Sequence, residues 1–338
     1  MNENLSLKQL RENLQGLTVF PEEILNWIAS ENLWNIWVPK AYGGLELTLT
    51  EGLQKLQSLA KIDGSLGWTV TLCSGASYFI GNLHPITAKH IFQESEQKPV
   101  FGGSGGLFGT AEKEGDFYKL SGKWKYATGG PYLTHFTVNA TIHENGNEVL
   151  QDEVSPAFKS FVIPKNKVTL IDDWNTMGMK ATRTCSFKVN DIILTEKDSF
   201  IYDHFYLPHP IFKINFRVFA DLTLWVNYIG MAEHFEEEVR ALESNFDLEI
   251  LSKTLTEANV KLLQFATIIE EQIKTENKLT TAFIEQIHEV SAASVGSLSQ
   301  SIIEIYPHLG IKAARENHPI NQIFKDYFTA TQHRNFTR

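Results

Sequence analysis

The sequence predicts an α+β protein of three consecutive parts: an N-terminal α-helical domain, a middle antiparallel β-barrel domain and a C-terminal four-helix bundle. Three observations carry this expectation. Apolar residues recur at helical spacing from about Leu5 to Gln93, short alternating runs fill Val100 to about Phe200, and long helical periodicity returns beyond Phe212. We place the boundaries at residues 1–97, 98–207 and 208–338.

In the first part, residues 22–33, 49–62 and 68–83 have the spacing of amphipathic helices. Pro21 suits a first helical turn, Gly43-Gly44 breaks the chain, Asp63-Gly64-Ser65 marks a turn with Ser65 as candidate cap, and Pro85 follows the next apolar run. In the middle part, Phe117-Tyr118-Lys119-Leu120, His135-Phe136-Thr137-Val138 and Ser186-Phe187-Lys188-Val189 alternate as strands do, between Gly, Asn, Asp and Pro. In the last part, residues 213–242, 248–274, 280–306 and 319–333 read as four helices with short connections, the pattern of an up-and-down bundle. No internal repeat or low-complexity tract interrupts this order.

Bulk properties narrow the function classes. A chain of 338 residues that is 43% apolar buries a large core. A net charge of -10, with Lys and Arg scattered, excludes nucleic acid as the expected partner. The segment MNENLSLKQLRENLQG lacks the basic-then-apolar plan of a leader, and no stretch is apolar enough to cross a bilayer, so no membrane partner and a cytoplasmic location are expected. Cys73 and Cys185 stand far apart, with no CxxC and no His-x-His nearby; reduced structural thiols and no metal site are expected.

The most informative stretch is VFGGSGGLFGTAEKEGDFYKLSGKWKYATGG, Val100 to Gly130. Gly102, Gly103, Gly105, Gly106 and Gly109 let backbone approach a ligand, and Ser104 and Thr110 add hydroxyls. The run leads into a charged turn and a strand rather than a helix, so it is not a dinucleotide fingerprint, and a flexible surface loop is an equal reading of it alone. Alternation places Trp124, Tyr126 and Thr128 on one strand face, which suits a flat cofactor; packing of both rings in a barrel wall is the plain alternative.

Five separated segments then carry a likeness: Val38-Pro-Lys-Ala-Tyr-Gly-Gly44, Leu59-Ala-Lys-Ile-Asp-Gly-Ser-Leu-Gly-Trp68, Leu120-Ser-Gly-Lys-Trp-Lys-Tyr-Ala-Thr-Gly129, Asp173-Trp-Asn-Thr-Met-Gly-Met-Lys-Ala-Thr182 and Phe324-Lys-Asp-Tyr-Phe-Thr-Ala-Thr-Gln-His333. In this order, across nearly the whole chain, they resemble the acyl-CoA dehydrogenase superfamily, and most of all its flavin-dependent monooxygenase branch of two-component aromatic hydroxylases and desulfurising oxygenases. The resemblance implies FAD or FMN as cofactor and a small apolar or aromatic molecule as substrate. It also implies a separate flavin reductase or electron-transfer partner, and a homo-oligomer, either dimer or tetramer. It places Ser104 along the flavin edge, Thr110 near the phosphate-bearing chain, Tyr126, Ala127 and Thr128 beside the isoalloxazine, and Trp174 close to the same ligand or else in a structural plug.

Departures from the family pattern bear on the chemistry. Acyl-CoA dehydrogenases remove a substrate proton with a bundle glutamate, and none stands in Thr329-Ala-Thr-Gln-His333; Asp221, at the alternative position, is the remaining candidate base. The terminal Gln332-His333 instead resembles the monooxygenases, which implies His333 as the proton donor or acceptor beside the flavin. Arg240 to Glu249 lacks the glycine of the family's diphosphate-binding element and carries acidic residues there, so FAD binding is expected to be weak, or FMN or reduced flavin to be the ligand. Arg183 replaces a small residue, pointing either into the pocket or away from it. Trp225 and Tyr228 fit a pocket lining or bundle packing equally. The expected activity is thus a monooxygenase-like flavin oxidoreductase; oxidation of an acyl thioester and a catalytically degenerate, ligand-binding member are the alternatives.

Overall fold

The computed structural model describes residues 7–242, 246–275 and 278–336. The N-terminal part contains α1 (Leu7–Leu14), α2 (Glu22–Ser30), α3 (Leu49–Ile62), α4 (Gly64–Ser77) and α5 (Pro85–Phe92). Helix α3 starts at a full capping box: Thr48 Oγ1 accepts from the Glu51 N–H while the Glu51 carboxylate accepts from the Thr48 N–H. Sharp punctuation follows. Asp63, not Ser65, caps α4, its Oδ1 accepting from Leu66 N–H at 2.8 Å, and a carboxylate at that position also complements the helix dipole. Pro85, which follows the apolar run as expected, opens α5.

The sheet strands are β1 (Phe101–Glu114), β2 (Phe117–Ala127), β3 (His135–Glu144), β4 (Asn147–Glu148), β5 (Phe158–Pro164), β6 (Thr169–Ile171), β7 (Cys185–Thr195) and β8 (Ser199–Phe200). Their order is β6-β7-β2-β1-β3-β5-β8, with β4 on β3, and the end strands do not pair. The sheet is therefore open, which corrects the expected barrel. It is also mixed: β1 and β3 run parallel, from Phe101 opposite His135 to Lys113 opposite Glu144, while the other pairs are antiparallel. The alternation of Phe117–Leu120 signals a strand but not the direction of its neighbours, so parallel pairing left no local mark.

The C-terminal part holds α6 (Phe216–Ala241), α7 (Glu249–Lys274), α8 (Thr281–Ile305), the short α9 (Gly310–Ala313) and α10 (Pro319–Ala330). Helix α6 contacts α7, α8 and α10, and on its other side α3 and α4. Burial all round explains its apolar composition, from Val218 through Trp225 to Val239. Trp225 donates to Ser294 Oγ at 3.0 Å and Tyr228 to the Ala330 carbonyl at 2.7 Å; both are core residues of this layer rather than pocket lining. Among the described residues no helix is long and apolar enough to cross a membrane.

Candidate functional site

Tyr126, at the end of β2, is 43% exposed, and its ring meets Trp174 edge to face at 5.4 Å between centroids. Trp124 does not join it. Its indole is fully buried, stacks on Phe187 at 5.6 Å and donates to the Asn139 carbonyl at 2.9 Å. The β2–β7 register shifts between Trp124 and Ala127, which breaks the strict alternation and separates the two rings. Trp124 is therefore a wall aromatic, and the one-face reading is corrected.

Two glycines of the run, Gly103 and Gly109, serve the fold itself, while a Cβ at Gly105 would meet nothing within 4 Å. A Cβ at Gly109 would stand 2.2 Å from the Trp124 ring and one at Gly103 1.8 Å from the Thr137 carbonyl oxygen, so these glycines admit the protein's own ring and strand. Ser104 lies on the same edge as Tyr126, its hydroxyl donating to the Lys125 carbonyl at 2.9 Å. Thr110 is exposed and farther along β1; two bulges between them leave Ser104 opposite Val138 and Thr110 opposite Thr141, three residues on, so they stand roughly 10 Å apart at the usual strand rise. Ala127 is buried.

Behind Tyr126, three hydroxyls cluster: Thr184 Oγ1 lies 2.8 Å from Thr182 Oγ1 and 3.3 Å from Thr128 Oγ1. Thr182 and the Trp174 indole both donate to the Met179 carbonyl, at 2.7 and 2.9 Å. The turn through Met179 thus holds the aromatic corner and the hydroxyl cluster together. A cavity of about 210 Å³ opens against Trp174, lined by Asp172, Thr176, Lys180, Arg183 and Thr184, with Thr18 and Asn175 at its margin. Arg183 points into it, its Nη2 3.3 Å from Asp172 Oδ2. A larger hollow of about 260 Å³ lies between α3 and α7, where Gln57, Glu233 and Asn259 bond one another. The Trp174 cavity is the candidate site because it alone of the two adjoins the exposed ring and the hydroxyl cluster.

The Met179 turn is docked on α10. Gly178 N–H donates to Thr329 Oγ1 at 3.0 Å and Met179 N–H to Asp326 Oδ1 at 2.5 Å. A Cβ at Gly178 would lie 2.2 Å from the Lys325 carbonyl carbon, so only glycine allows this approach. Asp326 is buried beside Asp63, and its Oδ2 has no hydrogen-bond partner among the described residues, while Asp63 Oδ2 accepts from Gln322 at 2.8 Å. Burial, and then the charge of Asp63, push the Asp326 carboxyl up to about 8; burial raises Asp63 as well. The pair holds a proton that exposed carboxyls would release. Sequence reasoning missed Asp326 because an aspartate inside a polar-looking helix reads as solvated, and nothing local reveals its partner.

His333 packs its ring edge to face on Trp68 at 5.6 Å. It keeps an exposed edge, yet the protein around the ring lowers its pKa by desolvation, favouring the neutral imidazole. Asp221 is fully buried and does not line the Trp174 cavity. Asn335 donates to its Oδ1 at 2.7 Å and His288 Nδ1 lies 3.2 Å from both oxygens, so this carboxylate ties α6 to α8 and to the segment carrying His333. That placement does not suit a substrate base. Arg240 is engaged locally with Glu236 and Ser252, at 2.7 and 2.9 Å; residues 243–245 of the expected diphosphate element lie outside the described residues. Cys73 and Cys185 are buried thiols, each raised in pKa by burial.

No family model matches the chain. The HsaA monooxygenase of Mycobacterium tuberculosis superposes with a TM-score of 0.87 over 98% of this chain and 92% of that one, at 17% identity. The chain shares the fold of that monooxygenase. XiaF from a Streptomyces species, solved with FADH2 and glycerol, has this fold too, with a TM-score of 0.86 over 98% and 89% of the two chains and 17% identity. In sequence, the chain is 28% identical to the indole-3-acetate monooxygenase of Acinetobacter baumannii over 225 residues, 65% of this chain and 55% of that protein. It is 25% identical to the pigment production hydroxylase of a Rhodococcus species over 47% and 39% of the two chains. These alignments span about half the length of the relatives. The flavin-dependent monooxygenase oxygenase subunit HsaA of M. tuberculosis aligns over 97% of this chain and 89% of its own length, at 19% identity. The monooxygenase fold thus agrees with the resemblance drawn from the five motifs.

Proposed function

We propose that this chain is the oxygenase component of a two-component flavin-dependent monooxygenase acting on a small aromatic substrate. The observation that carries the reading is the exposed Tyr126–Trp174 corner backed by the Thr128, Thr182 and Thr184 hydroxyls, on a fold shared with flavin monooxygenases. A flat ring with a polar edge fits that corner: Tyr126 and Trp174 offer aromatic surface, and Ser104 and Thr128 stand at its hydrogen-bonding edge. The flavin, FAD or FMN, supplies the oxygen-activating redox chemistry, and a separate reductase delivers it reduced. Thr110 lies toward its phosphate-bearing chain.

His333 works as a neutral imidazole able to accept or pass a proton at a ring nitrogen, and Asp221 anchors the segment that carries it. The units at 1–97, 98–207 and 208–338, a C-terminal four-helix bundle of α6, α7, α8 and α10, and a homo-oligomer belong to the same reading. The absence of a carboxylate in Thr329-Ala-Thr-Gln-His333 favours oxygenation over acyl-thioester oxidation. The test is oxygen uptake with a flavin reductase, NADH and a panel of phenols, indoles and arylacetates. Formation of a hydroxylated product that needs the chain supports the reading; uptake that yields only hydrogen peroxide with every substrate refutes it.

A further inference from the structure

The Trp174 cavity carries a charge pattern that flavin-ring binding does not require. Lys180 and Arg183 line it, and Lys123 and Lys125 stand close enough to act on Asp173. Within the lining itself two cations, Lys180 and Arg183, stand against one carboxylate, Asp172, in a chain whose net charge is -10. Such a local reversal of sign draws anions to one spot. Asp172 engages a single guanidinium nitrogen of Arg183, at 3.3 Å, which orients the fork and leaves donors to spare. The Lys180 ammonium has no partner among the described residues.

Arg183 adopts φ 45°, the left-handed region where glycine sits without strain and a long side chain does not. From that position the Arg183 side chain lines the cavity beside Lys180. The cavity walls define the rest of the ligand. Trp174 offers an aromatic face, Thr176 and Thr184 offer hydroxyls, and about 210 Å³ suits one ring rather than a drug-sized molecule.

We propose that Lys180 and Arg183 form an oxyanion-recognising edge of this cavity, taking either the carboxylate of a single-ring substrate or the phosphate of a flavin whose ring lies outside the cavity. The inference rests on the monooxygenase reading for its location and goes beyond it in naming the charge of the ligand. A carboxylate would come from the substrate and a phosphate from the flavin; a guanidinium fork binds either in two parallel hydrogen bonds.

Arg183→Gly tests this cleanly, because glycine relieves the left-handed strain and should not lower the melting temperature. Calorimetric titrations of wild-type, Arg183→Gly and Lys180→Met protein would compare phenylacetate with phenylacetamide, and FMN with riboflavin. Charge-assisted contacts predict that each variant weakens the anionic member of a pair at least about tenfold and the neutral member less than about threefold. Loss confined to phenylacetate assigns the edge to substrate, and loss confined to FMN assigns it to the flavin phosphate; either supports the proposal. Equal effects on charged and neutral members, no effect on either, or no binding of any probe by wild-type protein overturns it. If neither FMN nor riboflavin binds but phenylacetate still depends on Arg183, the monooxygenase reading fails and the oxyanion edge stands.

Discussion

The buried Asp63–Asp326 pair makes the pH dependence of stability predictable in sign. Asp326 has an ordinary value of 3.8 and is pushed up to about 8 by burial and by its neighbour. Between these values the native state keeps a proton that the unfolded chain has released, so the unfolded state binds fewer protons and stability falls as pH rises. One proton corresponds to at most ~1.4 kcal/mol for each pH unit. Asp326→Asn abolishes this share: its amide oxygen can still accept from Met179 N–H, and its NH2 can face Asp63 without a charge. Wild-type protein should lose about 1 kcal/mol more than Asp326→Asn between pH 6.5 and 7.5, with both curves converging toward pH 4. Urea unfolding at four pH values from 5 to 8.5 measures the difference, and Asp326→Ala, which removes the acceptor, should be weaker at all of them by about 1–3 kcal/mol. A wild-type minus Asp326→Asn difference that stays flat with pH would refute the shared proton.

Two further outcomes follow from the packing. Trp124→Ala should cost about 3–5 kcal/mol in urea unfolding, because the indole is fully buried against Phe187 and over Gly109; an exposed ligand-facing ring would cost far less. Gly178→Ala should leave helical content near wild type by circular dichroism while detaching the Met179 turn from α10, since the new Cβ meets Lys325 backbone at 2.2 Å; faster amide exchange at Met179 would report the detachment, and unchanged exchange would contradict it.

Element types and order were legible because their periodicities are strong. Residues 49–62 coincide with α3, and α6 to α8 fall within two or three residues of the expected ranges. Sheet closure and strand direction were not, since Phe136–Val138 alternates alike beside a parallel or an antiparallel neighbour. The site divides the same way. Tyr126 and Trp174 were visible as aromatics in motifs, and the structure brings them within 5.4 Å. Trp124 was misplaced because a register shift defeats counting by two. Asp326 was missed because its partner lies 263 positions away, and His288 because its role exists only through the buried Asp221. Arg183 stood out by its chemistry, but its direction depended on a left-handed backbone angle that a non-glycine residue does not announce.

The proposed function depends most directly on flavin-ring binding at the Tyr126–Trp174 corner. Anaerobic equilibrium titration of photoreduced FMN and FAD against wild-type protein and Tyr126→Ala tests it directly, by flavin fluorescence and absorbance. Tyr126 is exposed, so its removal should change stability by no more than about 0.5 kcal/mol while weakening flavin binding about tenfold. Saturable binding by wild type that is weakened in the variant is the expected result. No binding of either flavin, or affinity indifferent to Tyr126, would contradict the account.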